Sequence, residues 1–246
     1  MALIVAAGLP FWPSLARAHN SRPWLWDVAA QFQWEAYGGA DMTGHAWSVY
    51  AGTTYAIASD VRHDGFRIRS AAGFGNYSYT SRRWDGTRRN VVGFDGIQAS
   101  TELLVGYQHI FGPLVVKGFV GGVVERHAIT PFDEENEVSG GRYGFKAALE
   151  TWLTIGERGY LQSELAWSQP FHSYNARLRT GYRLTPAWSI GLEAHALGNA
   201  AYDAARIGGF LRLESNWGEI SVSGGQFADG DDRTGLYTTI GLMWRF

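Results

Sequence analysis

From about residue 25 onward, apolar and polar residues alternate with a period of two, and this pattern limits the possible folds more than any motif does. Two is the period of a strand, whose successive side chains point to opposite faces. A first segment carries Trp26, Val28, Ala30, Phe32 and Trp34 on one face, against Asp27, Gln31, Gln33 and Glu35. A second has Trp47, Val49, Ala51 and Tyr55, and a third sets Phe66, Ile68 and Phe74 against Arg67 and Arg69. A fourth sets Ile97, Ala99, Leu103, Val105 and Tyr107 against Gln98, Glu102 and Gln108. The pattern returns from Leu114, Tyr143, Leu161, Tyr174, Trp188, Ile207, Ile220 and Leu236, which makes about twelve segments.

Such a pattern suits a soluble sandwich or a membrane barrel. Aromatic residues separate the two: Trp26 and Trp34, Trp47 and Tyr55, Tyr174 and Tyr182, Trp188 and Trp244 gather near the ends of apolar faces. That is the girdle pattern of two membrane interfaces. The last segment alternates Ile240, Leu242, Trp244 and Phe246, which looks like the terminal strand that outer-membrane barrels present to their assembly machinery. A mean hydropathy of −0.17 is too polar for a helical membrane protein but ordinary for a barrel, which hides its apolarity in alternation. The 32 glycines suit a curved sheet, and the absence of cysteine excludes disulfides and thiolate metal sites. A net charge of −2 argues against nucleic acid as a partner. The expected fold is all-β: a single transmembrane antiparallel β-barrel of about 12 strands in the bacterial outer membrane, with both termini periplasmic. Outer-membrane lipids and lipopolysaccharide are its expected surroundings.

Residues 1–18 read as a cleavable secretory signal, with the apolar run Ala2 to Trp12 followed by Ala16-Arg17-Ala18. Residues 19–246 would then form the barrel. Gly112-Pro113, Gly156 to Gly159, Thr185-Pro186 and Asn216 to Gly218 read as short turns. Longer loops are expected over Gly38 to Thr43, Thr80 to Asp95, His127 to Ser139, Asn199 to Ala204 and Ala228 to Thr234, on the outer rim. Ser59 to Gly65 is long for a turn on the inner rim.

In a barrel the polar face lines the lumen. The candidate lumen residues are Arg67, Arg69, Glu102, Lys117, Arg142, Lys146, Glu150, Arg177, Arg179, Arg183, Glu193, His195, Arg206, Arg212 and Glu214. Two readings stand: a water-filled pore with a basic wall, serving small solutes or oligosaccharides, or a lumen filled by mutual ion pairs. Arg177 and Arg179 are placed to meet Glu193 across a hairpin. Twelve strands fall between barrels packed with side chains and barrels with clear channels.

The alternative of an outer-membrane lipid-modifying enzyme finds little support, and no cofactor is implied. His172-Ser173 would point to opposite faces of a strand, and His195 beside Glu193 suits an ion-pair network. Neither Asp133, Glu134, Glu135 and Glu137 nor Asp229, Asp231 and Asp232 has calcium-loop spacing. Arg82, Arg83, Arg88 and Arg89 around Trp84 form a basic loop suited to lipopolysaccharide phosphates or an acidic polymer.

Several segments together resemble the BcsS family of cellulose biosynthesis proteins. They include Gly65 to Arg69, Leu103 to Gln108, Gly144 to Ala147, Gly181 to Leu184, Gly198-Asn199 with Tyr202-Asp203, and Arg206 to Arg212. The resemblance covers roughly residues 45 to 246 and implies a non-enzymatic accessory of cellulose biosynthesis or export. The implied partners are the cellulose synthase and export machinery or the glucan itself. It brings no catalytic residues. Few aromatics join Tyr50, Trp152 and Phe210 on the inward face, so an assisting role suits the chain better than a main glucan conduit.

Overall fold

The computed structural model describes residues 32–84, 86–230 and 233–246. The signal expected over 1–18, the first-segment residues Trp26, Val28 and Ala30, and Asp231 with Asp232 lie outside the described residues. Twelve antiparallel strands form one closed barrel: β1 Trp34–Thr43, β2 Ala46–Ala56, β3 Gly65–Trp84, β4 Arg89–Phe111, β5 Leu114–Thr130 and β6 Gly140–Ile155 complete one half. The other half holds β7 Gly159–Ser168, β8 Tyr174–Arg183, β9 Trp188–Asn199, β10 Tyr202–Glu214, β11 Gly218–Asp229 and β12 Thr234–Arg245. Each strand pairs with its sequence neighbours, and β1 pairs with β12, for example Gly38 opposite Leu242. Closure gives every strand two partners, which is what backbone polar groups require in lipid.

The alternation sorts as a barrel in lipid demands. Phe66, Leu103, Val105, Val124, Leu192 and Ile207 face outward and exposed, while Arg69, Glu102, Lys117, Glu150 and Arg179 are buried inside. Outward aromatics pair at two levels: Trp34 with Tyr55 (4.7 Å) and Phe66 with Tyr107 (5.0 Å) toward the termini, and Trp47 with Phe74 (5.9 Å) toward the far end. On β2 the levels of Tyr55 and Trp47 lie eight residues apart. That is about 27 Å along the strand, or roughly 20 Å of height at the usual tilt, close to an outer-membrane apolar band.

Three expectations need correction. First, Gly38 to Thr43 is not a loop: it completes β1, paired to β12 on one side and β2 on the other. The glycines there make room for a ring rather than a turn, since a Cβ on Gly39 would lie 2.2 Å from the Tyr50 hydroxyl. Second, Thr80 to Asp95 is almost wholly strand, with β3–β4 pairing continuing to Trp84 opposite Arg89. Beyond the apolar band the outer face no longer meets lipid, so Asn76, Ser78 and Thr80 stand outward while Tyr77, Tyr79 and Phe94 turn inward and buried. The alternation inverts, and the outward apolar run that marks a membrane strand ends although pairing does not. Third, Asn199 to Ala204 holds only a turn at 200–201 between β9 and β10.

The expected contrast between short turns and long loops is correspondingly weak. The longest connection at the termini end is 57–64 and at the far end 131–139. Strand length carries the asymmetry instead. β3, β4, β5 and β6 have 20, 23, 17 and 16 residues, against 10 each for β7 and β8.

Candidate functional site: the filled lumen and its two ends

Along its height the lumen holds ion pairs that bridge strands. Glu193 on β9 accepts from Arg177 Nη2 (2.9 Å) and Arg179 Nε (2.8 Å) on β8 and from the Tyr237 hydroxyl on β12 (2.7 Å). Arg69 on β3 pairs with Glu150 on β6, and Lys146 Nζ donates to Glu102 across 2.5 Å. Arg206 on β10 reaches Asp41 on β1 (2.6 Å), which also accepts from the Thr239 hydroxyl (2.7 Å). Arg212 pairs with Glu219 (2.8 Å) and donates to Gln162 on β7 (2.6 Å), its guanidinium 5.3 and 5.1 Å from the centres of the Trp152 and Tyr160 rings, which stack 4.4 Å apart. Charges this deeply buried must be paired, because an uncompensated one costs several kcal/mol.

Of the fifteen candidate lumen residues, twelve are buried: Arg67, Arg69, Glu102, Lys117, Lys146, Glu150, Arg177, Arg179, Glu193, His195, Arg206 and Arg212. Arg183 and Glu214 are half-buried toward the termini end. Arg142 is exposed at the far rim, its guanidinium 4.6 Å from the Phe171 ring centre.

Apolar side chains cross the same space. Tyr37 on β1, Tyr50 on β2, Ala71 on β3 and Met243 on β12 form one buried cluster, with Ala166 on β7 packed against it. β7 lies six strands from β1 either way around the ring of twelve, so this contact spans the lumen. Ala166 also packs against Leu104, Phe119 and Ala148, which joins the two walls.

Both ends are covered. At the termini end, connection 57–64 folds over the mouth, burying Val61 and tying its backbone to Phe32 (2.8 Å). Arg67 holds that connection, donating to Ser59 Oγ (3.0 Å), Asp60 O (3.1 Å) and His63 O (2.5 Å). This accounts for its unexpected length. At the far end Tyr77, Tyr79, Phe94, Ile129, Val138, Phe171, Leu197 and Tyr202 form an apolar core. Connection 131–139 closes over it: Arg83 pairs with Asp133 and Glu135, and Tyr79 donates to Asp133 Oδ2 (2.7 Å). Two of the acids considered for a cation are thus held by an arginine.

The residues considered for catalysis are not assembled. His172 and Ser173 lie in the connection between β7 and β8, not on a strand, and Ser173 Oγ donates to Glu125 Oε2 (3.0 Å) rather than to a histidine. His195 Nε2 bonds Asn175 Oδ1 (2.5 Å), while Glu193 is occupied by the arginines. Sequence reasoning missed Asp41 and the aromatic far-end core. The signal for the latter was glycine set opposite an inward ring: a Cβ on Gly96 would lie 2.1 Å from Tyr77 Cζ.

The family of cellulose biosynthesis protein BcsS matches residues 36–246, most of the chain. The chain belongs to the BcsS family. No curated protein matches it by sequence. Among solved structures, it is similar to an outer membrane channel from Pseudomonas putida F1 at 9% identity and TM-score 0.52, covering 92% of this chain and all of that one (100%). The KdgM porin in complex with disordered oligogalacturonate matches at 10% identity and TM-score 0.50, over 86% of this chain and 99% of that one. The translocator domain of autotransporter NalP from Neisseria meningitidis matches at 11% identity and TM-score 0.50, over 90% and 91%. At such identities the likeness concerns the fold, an outer-membrane barrel. This BcsS-family chain is a protein of the bacterial outer membrane, associated by family with the cellulose machinery.

Proposed function

We propose that this chain is a non-conducting, non-enzymatic accessory barrel of cellulose biosynthesis or export. In this reading residues 1–18 are removed as a secretory signal, both termini face the periplasm, and the far end of β3–β6 faces outward from the cell. Family membership supports the process. The observation that carries the mechanical part is the contact of Ala166 on β7 with the Tyr37, Tyr50 and Met243 cluster on the opposite wall. A water-filled pore would leave its wall accessible; here Arg179, Arg212 and Glu150 are each only 1% exposed. A glucan chain has no path through such a lumen, so the barrel serves beside the export route, as an anchor for the synthase and export machinery or as a holder of the polymer.

Planar-bilayer recording tests the closed lumen. Purified barrel is expected to add no unit conductance, and steady channel steps would instead establish the porin alternative. Deletion tests the process: surface cellulose should fall and return on re-expression, and unchanged cellulose would sink the accessory role.

A further inference from the structure

Among the described residues, outward-facing arginines and lysines on the strands are confined to one wall and one end. Arg82 on β3, Arg89 on β4 and Arg126 on β5 are all exposed and share the face of the outward apolar residues. They stand at two levels. Arg126 is opposite Ala99, beside Phe74 and Tyr143, at the edge of the apolar band. Arg82 is opposite Val91 and Arg89 opposite Trp84, eight β4 residues or more beyond Ala99. That is about 27 Å along the strand, or roughly 20 Å higher above the band. Between the levels Asn76, Ser78 and Thr80 present a polar surface, with Asp95 as its one acid. Arg83, between Arg82 and Trp84, turns inward to hold connection 131–139, so alternation divides this basic pair between two tasks.

We propose that this wall binds the phosphorylated glycolipid of the outer leaflet, lipopolysaccharide, with Arg126 on the phosphates at the lipid boundary and Arg82 with Arg89 on phosphates of its sugar core. Charge complementarity carries the choice. Guanidinium groups form strong, directional bonds to phosphate, and Arg126, a cation at the edge of the lipid-facing band, is expensive there without an anionic partner. The exposed Trp84 indole lies in the upper patch, where it can lie against core sugars. The inference rests on the outward orientation proposed above.

The test uses the full chain, refolded in detergent and checked for a heat-dependent gel shift. Binding is measured to lipid A carrying both phosphates, to dephosphorylated lipid A, and to lipopolysaccharide with a phosphorylated core. R126Q should weaken lipid A binding about tenfold. R82Q/R89Q should leave lipid A binding unchanged and weaken binding of the core-bearing glycolipid about tenfold. Equal binding of dephosphorylated lipid A, or full competition by millimolar inorganic phosphate, would overturn the proposal. So would capture of cello-oligosaccharides by the same arginines. Orientation is read separately, since the chain has no cysteine: R89C should react with a membrane-impermeant maleimide on intact cells. Failure to label would overturn the orientation and the site together. Labelling combined with wild-type binding in both variants would overturn the glycolipid site only.

Discussion

The barrel contains two zones built on opposite rules. In the apolar band, Leu103 and Val105 face out while Glu102 and Lys117 are buried inside. In the extension of β3 and β4 beyond the band, Ser78 and Thr80 face out while Tyr77, Tyr79 and Phe94 form the inside. One continuous sheet thus changes from a membrane wall to something like a soluble sheet within a single strand. The backbone pairing is indifferent to the change; the surrounding solvent dictates which face is apolar. Lipid outside forces the polar residues of the band inward, where they must find one another. Without lipid outside, the extension keeps an ordinary hydrophobic core.

The zones should respond differently to substitution. The largest effect is expected inside the band. Glu193→Ala leaves Arg177 and Arg179 without their shared carboxylate and should cost about 3–5 kcal/mol, read as the urea midpoint of the gel shift. A loss under about 1 kcal/mol would mean water reaches those arginines, and the filled lumen would be wrong. Next come two arginine substitutions on the outer face. Leu103→Arg, within the band, should cost about 2–4 kcal/mol, and Ser78→Arg, beyond it, about 0–1 kcal/mol. Equal costs would erase the boundary between the zones. The smallest effect is expected at the cap. Arg83 is 20% exposed, and its buried partner Asp133 keeps donors from the Tyr79 hydroxyl and the Glu135 N–H, so Arg83→Ala should cost about 1 kcal/mol while making 131–139 more sensitive to protease. It should leave conductance at zero, because the seal at Ala166 lies elsewhere. A channel opened by R83A would move the seal to the far end.

Much of the band was legible in the sequence. The outward residues from Phe66 to Trp244 follow from alternation, and the meeting of Arg177 and Arg179 with Glu193 follows from adjacent strands joined by a short turn. The extension was not legible, since its outer face is polar and its arginines and serines resemble a loop. Asp41 was misplaced for a related reason: glycine beside it suggests a turn, whereas Gly39 is shaped by the Tyr50 ring on the neighbouring strand.

By itself the sequence determined the strand period, the face each side chain would take inside the band, and hence a closed barrel with a charged interior. Whether that interior is open was decided only in three dimensions. Arg69 meets Glu150 81 positions along the chain and Asp41 meets Arg206 165 positions away. Ala166 packs against a cluster on the far wall. Local alternation says which way a side chain points, but closure of the ring and the register of its strands set what lies opposite it, and no short stretch of sequence contains that information.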